Sequence, residues 1–146
     1  MVWVILLDVN ILIRAHRRDD SRFQEMSAWL GRTVDSGISL GSPSAALAAF
    51  VRIVTHPRIY LRPTPLKEAL DVVAKLRGEA NFRTAEAGPR HSEIFRELCA
   101  KSGAAGNLRT HACFAAIAIE HGAEWITADS DYARFPGLRW RHPLKA

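Results

Sequence analysis

The sequence predicts a single α/β domain with a parallel β-sheet flanked by helices. Apolar runs with the length of buried strands alternate with segments of helical spacing along the chain. Two of these runs, residues 2–7 and 124–127, are followed by acidic residues. Because no repeat, linker or low-complexity segment interrupts this order, residues 1–146 are expected to form one domain.

The first strand-like run, VWVILL, ends at Asp8. Its Val, Ile and Leu content without polar alternation is typical of a strand that is buried on both faces. The carboxyl ends of strands in open parallel sheets border the crevices where ligands bind, so Asp8 and Asn10 could offer oxygen ligands to a hard cation. Alternatively, Asp8 or Asn10 only caps the short helix predicted over Ile11–His16, since both residue types favour that position.

The middle of the chain continues the alternation of helix and strand. The predicted helices run from Asp19-Asp20-Ser21 to Gly37, from Ser42-Pro43-Ser44 to His56-Pro57, from Thr64-Pro65 to Gly78 and from Gly88-Pro89 to Gly103. Short strands are predicted over Ile38–Leu40 and Phe82–Ala85, and a loop over Ala104–Arg109. In the third of these helices the buried face is expected to consist of Leu66, Leu70, Val73 and Leu76.

The last third of the chain contains a second strand that ends in acidic residues. A helix of small residues, HACFAAIAIEH, is predicted over His111–His121 and stopped by Gly122. The strand Glu124–Thr127 follows, with Asp129 and Asp131 directly after it. Because parallel strands end at the same edge of a sheet, we expect Asp8 to meet this second pair of acids.

Three acids at one sheet edge would have a chemical use. Carboxylates a few ångströms apart repel each other, so they stay ionised together only when cations neutralise them. Mg²⁺ or Mn²⁺ prefers such oxygen ligands and keeps several waters, one of which can attack a phosphodiester. From spacing alone, Asp8, Asp129 and Asp131 could instead be turn-forming residues, because Asp is common in turns.

The charge of the chain favours an acidic partner. The formal net charge is +5, and arginines cluster at Arg14, Arg17 and Arg18. RNA is the kind of polyanion that such a basic surface binds, although solvated helix faces would explain the cluster as well. The two cysteines, Cys99 and Cys113, form no disulfide framework, and the chain has no export signal or apolar span, which favours the cytoplasm and no membrane.

Three long segments follow the order and spacing of a known family. They are LLDVNILI at the start, AAFVRIVTHPRIY in the middle and AGNLRTHACFAAIAIEHGAEWITADSDYARFPGLRW at the end. In these segments the chain resembles the PIN-domain ribonucleases, and among them the VapC toxins of bacterial type II toxin–antitoxin (VapBC) systems. The resemblance implies a PIN-like fold with a central parallel β-sheet flanked by α-helices, an endoribonuclease dependent on Mg²⁺ or Mn²⁺, and inhibition by a cognate VapB-type antitoxin.

The resemblance also assigns roles to five residues. Asp8 matches the family's first acid, and Asp129 and Asp131 match the acids after the last core strand; all three are the expected catalytic and metal-binding residues. Asn10 and Thr127 match polar neighbours that support the site. By charge alone, Arg14, Arg17 and Arg18 are the expected RNA contacts.

Two positions depart from the family pattern. Ala49 stands where the family often has a glutamate, and His111 stands where an acid usually begins the small-residue helix. His111 could be a metal ligand that suits Mn²⁺ or another transition metal better than Mg²⁺, or a polar residue without a metal role. The leading hypothesis is therefore an endoribonuclease weakened at position 111. The alternative is a PIN-like binding module that binds antitoxin or RNA without efficient cleavage.

The expected partners follow from the same resemblance. A homodimer and a toxin–antitoxin hetero-oligomer are implied, and the apolar middle with the Phe-Val-Arg helix would otherwise leave exposed patches. An arginine of the antitoxin is expected to enter the acidic pocket, because a guanidinium can bridge two carboxylates. The other histidines are expected at the surface or at caps: His16, His56, His91, His121 and His142.

Overall fold

A parallel β-sheet forms the centre of the computed structural model, which describes residues 3–103 and 105–145. Its strands are β1 (Ile5–Leu7), β2 (Leu40–Pro43), β3 (Phe82–Ala85), β4 (Glu124–Ile126) and β5 (Trp140–Arg141). They are ordered β3-β2-β1-β4-β5, and all neighbouring pairs are parallel. The first strand therefore lies in the middle of the sheet, with its carboxyl end beside that of β4.

Helices cover both faces of this sheet. They are α1 (Val9–His16), α2 (Phe23–Asp35), α3 (Ser44–Val54), α4 (Leu66–Arg77), α5 (His91–Ser102) and α6 (Asn107–Glu120). Leu6 packs in a core with residues of α5 and α6, whereas Ile5 and Leu7 pack in a second core with residues of α1 to α4. The predicted α/β class, with a parallel sheet flanked by helices, is confirmed. In the described part of the chain no helix is long and apolar enough to cross a membrane.

The strand and helix boundaries follow the sequence prediction with a few differences. The strand over Phe82–Ala85 is confirmed residue for residue, while β1 is shorter than the apolar run that predicts it. The loop predicted over Ala104–Arg109 is wrong from Asn107 onward, because α6 begins there; Ala104 lies outside the described residues. Strand β5 was not predicted, since it has only two residues.

Two predicted helix caps have other roles. Ser42 lies in β2, where its buried hydroxyl donates to the Leu7 carbonyl at 2.7 Å and ties β2 to the end of β1. Thr64 precedes α4 without capping it, because its hydroxyl accepts a hydrogen bond from Arg17 at 3.3 Å and contacts His16 at 3.1 Å. Both hydroxyls therefore link separate segments of the chain, which local spacing does not reveal.

The buried face of α4 also differs from the prediction. Leu66 and Leu70 are exposed, and Ala69 takes the buried position of this helix, with Val73 and Leu76 packed against the core. The Phe-Val-Arg segment of α3 does not form an open apolar patch, because Phe50 is buried. The exposed large apolar side chains of this region are Ile59, Leu61, Leu66 and Leu70.

Candidate metal centre

The adjacent ends of β1 and β4 bring two polar segments together. Leu7 pairs with Ile126, so Asp8 and Thr127 leave the sheet side by side. The Asp8 backbone N–H donates to the Ile126 carbonyl at 2.9 Å, which continues the ladder to the residue that carries the carboxylate. The strand pairing alone therefore fixes the position of Asp8 relative to β4.

A hydrogen-bond network holds the Asp8 carboxylate. Oδ1 accepts from the Val9 backbone N–H at 2.7 Å, which caps α1, and Oδ2 accepts from the Thr127 hydroxyl at 2.7 Å. The Asn10 amide donates to Asp8 Oδ2 and to Thr127 Oγ1, each at 3.1 Å, while its own oxygen accepts from the Ala128 N–H. Asn10 and Thr127 thus hold the Asp8 carboxylate in one orientation.

Asp8 lies in a nearly buried position, with 5% of its surface exposed. Burial raises the pKa of Asp8 above its ordinary value, and the hydrogen bonds from Thr127 and Val9 only partly oppose this effect. A carboxylate that is costly to ionise is stabilised by a nearby cation.

His111, Asp129 and Asp131 form a compact group of possible metal ligands. One ligand atom from each lies within 4.8 Å of the others. His111 Nε2 is 2.7 Å from Asp129 Oδ2, and the other oxygen of Asp129 accepts from the Asp131 N–H at 2.9 Å. Partial burial of Asp129 is outweighed by the hydrogen bonds from His111 and Asp131, so the pKa of Asp129 is lowered.

The two ring nitrogens of His111 have different partners. Nδ1 is 2.9 Å from the Asn107 carbonyl, which can only accept a hydrogen bond, so Nδ1 carries a proton. The contact of Nε2 with Asp129 is a hydrogen bond only when the ring is doubly protonated, and His111 then neutralises part of the carboxylate charge. A neutral ring would keep the Nδ1 proton and leave Nε2 free to bind a metal, the arrangement usual for histidine ligands.

These donors fit a divalent cation. Carboxylate oxygens suit Mg²⁺ and Mn²⁺, and an imidazole nitrogen favours Mn²⁺ or another transition metal over Mg²⁺. Asp8 lies beside this group, close enough for His111 and Asp129 to affect its pKa, and its oxygens accept three hydrogen bonds. His111, Asp129 and Asp131 form the candidate ligand group, with the Asp8 carboxylate at its border.

Other predicted site residues lie elsewhere. The guanidinium of Arg17 is buried and bonded to Asp19, to the Arg62 carbonyl and to Thr64, and it stacks over the Tyr60 ring at 3.8 Å. Its contacts hold the chain around α1 and leave the guanidinium little surface for RNA. Ala49 lies in α3 and brings no acid to the sheet edge.

Comparison with known proteins places the chain in a family. The sequence model of the PIN domain matches residues 5–138. This chain belongs to the PIN domain family. VapC ribonuclease Mb2897 of Mycobacterium bovis and ribonuclease VapC43 of Mycobacterium tuberculosis are each 38% identical to this PIN domain over 141 residues, covering 97% of it and 96% of the relative. Ribonuclease VapC25 of M. tuberculosis is 32% identical over 140 residues, covering 96% and 99%.

Solved structures share the fold of this PIN domain. The crystal structure of VapBC2 from Rickettsia felis bound to a promoter DNA fragment contains a chain with a TM-score of 0.67 at 15% identity, covering 94% of this chain and 97% of that one. FitAcB from Neisseria gonorrhoeae contains a chain with a TM-score of 0.66 at 16% identity, covering 96% and 98%. At such identities the likeness concerns the fold alone.

One residue at the site of this PIN domain was missed by the sequence analysis. Tyr132 follows Asp131 in the 3-10 helix Ser130–Arg134, and its ring stacks on His111 at 4.6 Å between centroids. The sequence feature that could have indicated Tyr132 is an aromatic residue directly after Asp131. Without the fold, nothing in the spacing showed that this ring would lie against a residue 21 positions earlier.

Proposed function

We propose that this PIN domain, comprising residues 1–146, is a metal-dependent endoribonuclease that acts as the toxin of a VapBC pair. The observation that carries the proposal is the ligand group His111, Asp129 and Asp131 beside the buried Asp8. The near-full-length likeness to VapC ribonucleases supports RNA as the substrate. The basic composition, with a net charge of +5, supports it as well, since neutralising phosphates favours binding.

Each residue of the site has a part in the proposed reaction. His111, Asp129 and Asp131 would hold Mg²⁺ or, preferably, Mn²⁺, while Asn10 and Thr127 keep the Asp8 carboxylate turned toward the group. The bound cation supplies the positive charge that activates water and stabilises the charge on the phosphate. Because its pKa is raised, the Asp8 carboxylate is a better proton acceptor than an exposed aspartate.

Cleavage of RNA is the direct test. The purified chain is incubated with RNA and with Mn²⁺, Mg²⁺ or a chelator, beside Asp129→Asn and His111→Asp. We expect cleavage with Mn²⁺, a loss of at least about a hundredfold in Asp129→Asn, and stronger activity with Mg²⁺ in His111→Asp. Cleavage by His111→Asp alone would contradict the proposal and identify the chain as a binding module.

A groove supports binding of a VapB-type antitoxin. It has a volume of about 380 Å³, lies between α1, α2, α3 and α4, and is lined by apolar side chains such as Leu12, Leu47 and Val73. Leu12 is one turn beyond Asp8 on α1, about 6 Å along the axis. An antitoxin helix seated in the groove could therefore extend an arginine into the acidic site.

The exposed face of α4 supports a homodimer by a separate surface. Leu66 and Leu70 are four residues apart and exposed, and Ile59 and Leu61 of the preceding loop are exposed as well. We expect Leu70→Glu to reduce dimer mass in light scattering without weakening antitoxin binding. Val73→Glu, one turn away in the groove, should weaken antitoxin binding and leave the mass unchanged.

We place the protein in the cytoplasm, as its cysteine content suggests.

The arginine of the antitoxin has its own test. Replacing the basic residues of its docking segment by Gln should weaken inhibition of RNA cleavage, because a guanidinium can bridge two carboxylates of the site. Full inhibition by such a substituted antitoxin would contradict this part of the proposal.

A further inference from the structure

Tyr132 lies against His111 of the candidate metal centre. It is 1% exposed and sits in the short 3-10 helix that carries Asp131. Its ring stacks on His111 with 4.6 Å between centroids and 26° between planes. The proposed function gives Tyr132 no part, although it is the one aromatic ring stacked on a proposed metal ligand among the described residues.

The stack with Tyr132 fixes the plane of the His111 ring, which the polar contacts of His111 do not fix by themselves. The torsion that rotates an imidazole about its attachment is broad, so a histidine ring needs external contacts to hold one plane. The contacts of His111 with the Asn107 carbonyl and with Asp129 are made at the ring edge, at its two nitrogens. Tyr132 contacts the face of the ring and limits its tilt. Together the three contacts define where Nε2 points.

Tyr132 is itself held in a rigid setting. Its ring packs against Trp125 of β4 at 5.6 Å and edge-on against Phe135 at 5.9 Å. Trp125 is fully buried, and Phe135 is 3% exposed. Because close-packed aromatic clusters leave little free volume, the Tyr132 ring has few alternative positions. It connects the orientation of His111 to the central sheet.

We propose that Tyr132 is a positioning residue that holds the His111 ring with Nε2 directed at Asp129 and so shapes the ligand group for a divalent cation. The inference rests on the proposed metal-dependent function and adds a residue that acts through His111. The aromatic ring is the part that matters. The hydroxyl lies near Asp8, and burial together with the Asp8 and Asp129 charges raises its pKa, so it stays protonated and uncharged.

The test compares three variants in a metal-free state and with Mn²⁺ alone. Tyr132→Phe keeps the ring, Tyr132→Leu removes it, and Phe135→Leu removes a ring of the same cluster that does not stack on His111. The nitrogen NMR signals of His111, assigned with His111→Gln, report its contacts, and calorimetry reports the Mn²⁺ affinity. We expect Tyr132→Leu to change the His111 signals and to weaken Mn²⁺ about tenfold, whereas Tyr132→Phe and Phe135→Leu match the unsubstituted chain.

A double substitution excludes general loosening of the core. If Tyr132 acts through His111, Tyr132→Leu should have no further effect on Mn²⁺ affinity in the His111→Ala background. Unchanged His111 signals in Tyr132→Leu, an equal loss in Phe135→Leu or a persisting loss in the double variant would each overturn the inference. Should Tyr132→Leu not fold, Tyr132→Met takes its place, since methionine adapts to irregular gaps.

The same experiment separates this inference from the proposed function. No RNA is present, so a chain that binds Mn²⁺ but never cleaves RNA would contradict the ribonuclease proposal and leave the positioning role intact. If Mn²⁺ does not bind at all, the His111 signals of the metal-free variants still decide whether Tyr132 holds the ring.

Discussion

At the scale of single residues, the position of Asp8 is compatible with both roles that the sequence presented as alternatives. Its carboxylate caps α1 through the Val9 N–H and also lies at the border of the candidate metal group. One carboxylate can do both, because each oxygen accepts more than one hydrogen bond. The cap therefore fixes the carboxylate rotamer beside the candidate group, so capping α1 does not exclude a metal or catalytic role for Asp8.

Position 111 determines the predicted strength of metal binding. His111→Asp should raise Mg²⁺ affinity by roughly ten- to a hundredfold, because a carboxylate adds a negative charge and a hard oxygen ligand where imidazole binds Mg²⁺ poorly. Calorimetry with Mg²⁺ measures the change, and His111→Asn is the control that removes the ring without adding charge. No gain for His111→Asp, or submicromolar Mg²⁺ binding by the unsubstituted chain, would place residue 111 outside the metal shell.

The buried position of His142 leads us to expect that the stability of the fold depends on pH. It is buried rather than at the surface, and its Nδ1 accepts from the Leu144 N–H. Burial, with Lys145 and the arginines Arg14 and Arg22 nearby, lowers the pKa of His142 below its ordinary value of 6.5. The unfolded chain therefore binds this proton more readily, so stability is lost as pH falls from 6.5 through the lower folded pKa.

Urea unfolding at pH 7 and at pH 5.5 measures this loss. We expect the midpoint to fall less between these pH values in His142→Gln than in the unsubstituted chain. His56→Gln is the matched control, because His56 Nδ1 also accepts a backbone N–H two residues ahead, in an exposed setting. An equal fall in the His142→Gln and unsubstituted chains would show that His142 does not titrate differently on folding.

At the scale of elements, Glu120 links α6 to the segment that leads into α5. Its two carboxylate oxygens accept hydrogen bonds from the backbone N–H groups of Gly88 and Arg90 at 2.7 and 2.8 Å. Gly88 passes so close to this carboxylate that a Cβ there would lie 2.5 Å from Glu120 Oε2. The link fixes the C-terminal end of α6, whose N-terminal turns present His111 to the site.

Removing this link should lower stability. Glu120→Ala is expected to reduce the free energy of unfolding by about 1.5 kcal/mol, because two backbone donors lose a charged acceptor. Chemical denaturation measures the change, and Glu97→Ala in α5 is the control, since its bond to Lys101 is an exposed pair that contributes little. Equal effects of the two substitutions would show that the Glu120 contacts do not stabilise the fold.

At the scale of the whole molecule, the arginines fall into two groups. The side chain of Arg17 is buried and bonded within the protein, whereas Arg18 is exposed. Arg14 makes only a long ion pair with Asp20, with 4.0 Å between the charged atoms. The helix α1 begins at the acidic edge and carries Arg14 away from it, and Arg18 follows two residues after the helix ends. These two arginines therefore form a candidate track for RNA leading to the metal group.

Salt dependence tests this track. Binding of a fluorescent RNA, measured by anisotropy with a chelator present, should weaken linearly as the logarithm of salt rises. Arg14→Gln and Arg18→Gln should each reduce the slope by about 0.7, the value for one contact with a single strand. Arg77→Gln is the control, because the end of α4 precedes β3 and so lies at the opposite edge of the sheet. Equal slopes in all variants would exclude these RNA contacts.

The sequence by itself predicted most of the elements and the residue types of the candidate site. Apolar runs predicted β1 and β4, and the acids after them predicted which sheet edge would be used, because strand and helix periodicity depends on neighbours in the chain. The tertiary structure decided what depends on contacts between distant segments. It placed Leu66 and Leu70 outside the core, used Arg17 internally and set His111 between Asp129 and Tyr132. The spacing of residues along the chain does not indicate such partners, because strand order and packing bring them together only in the folded protein.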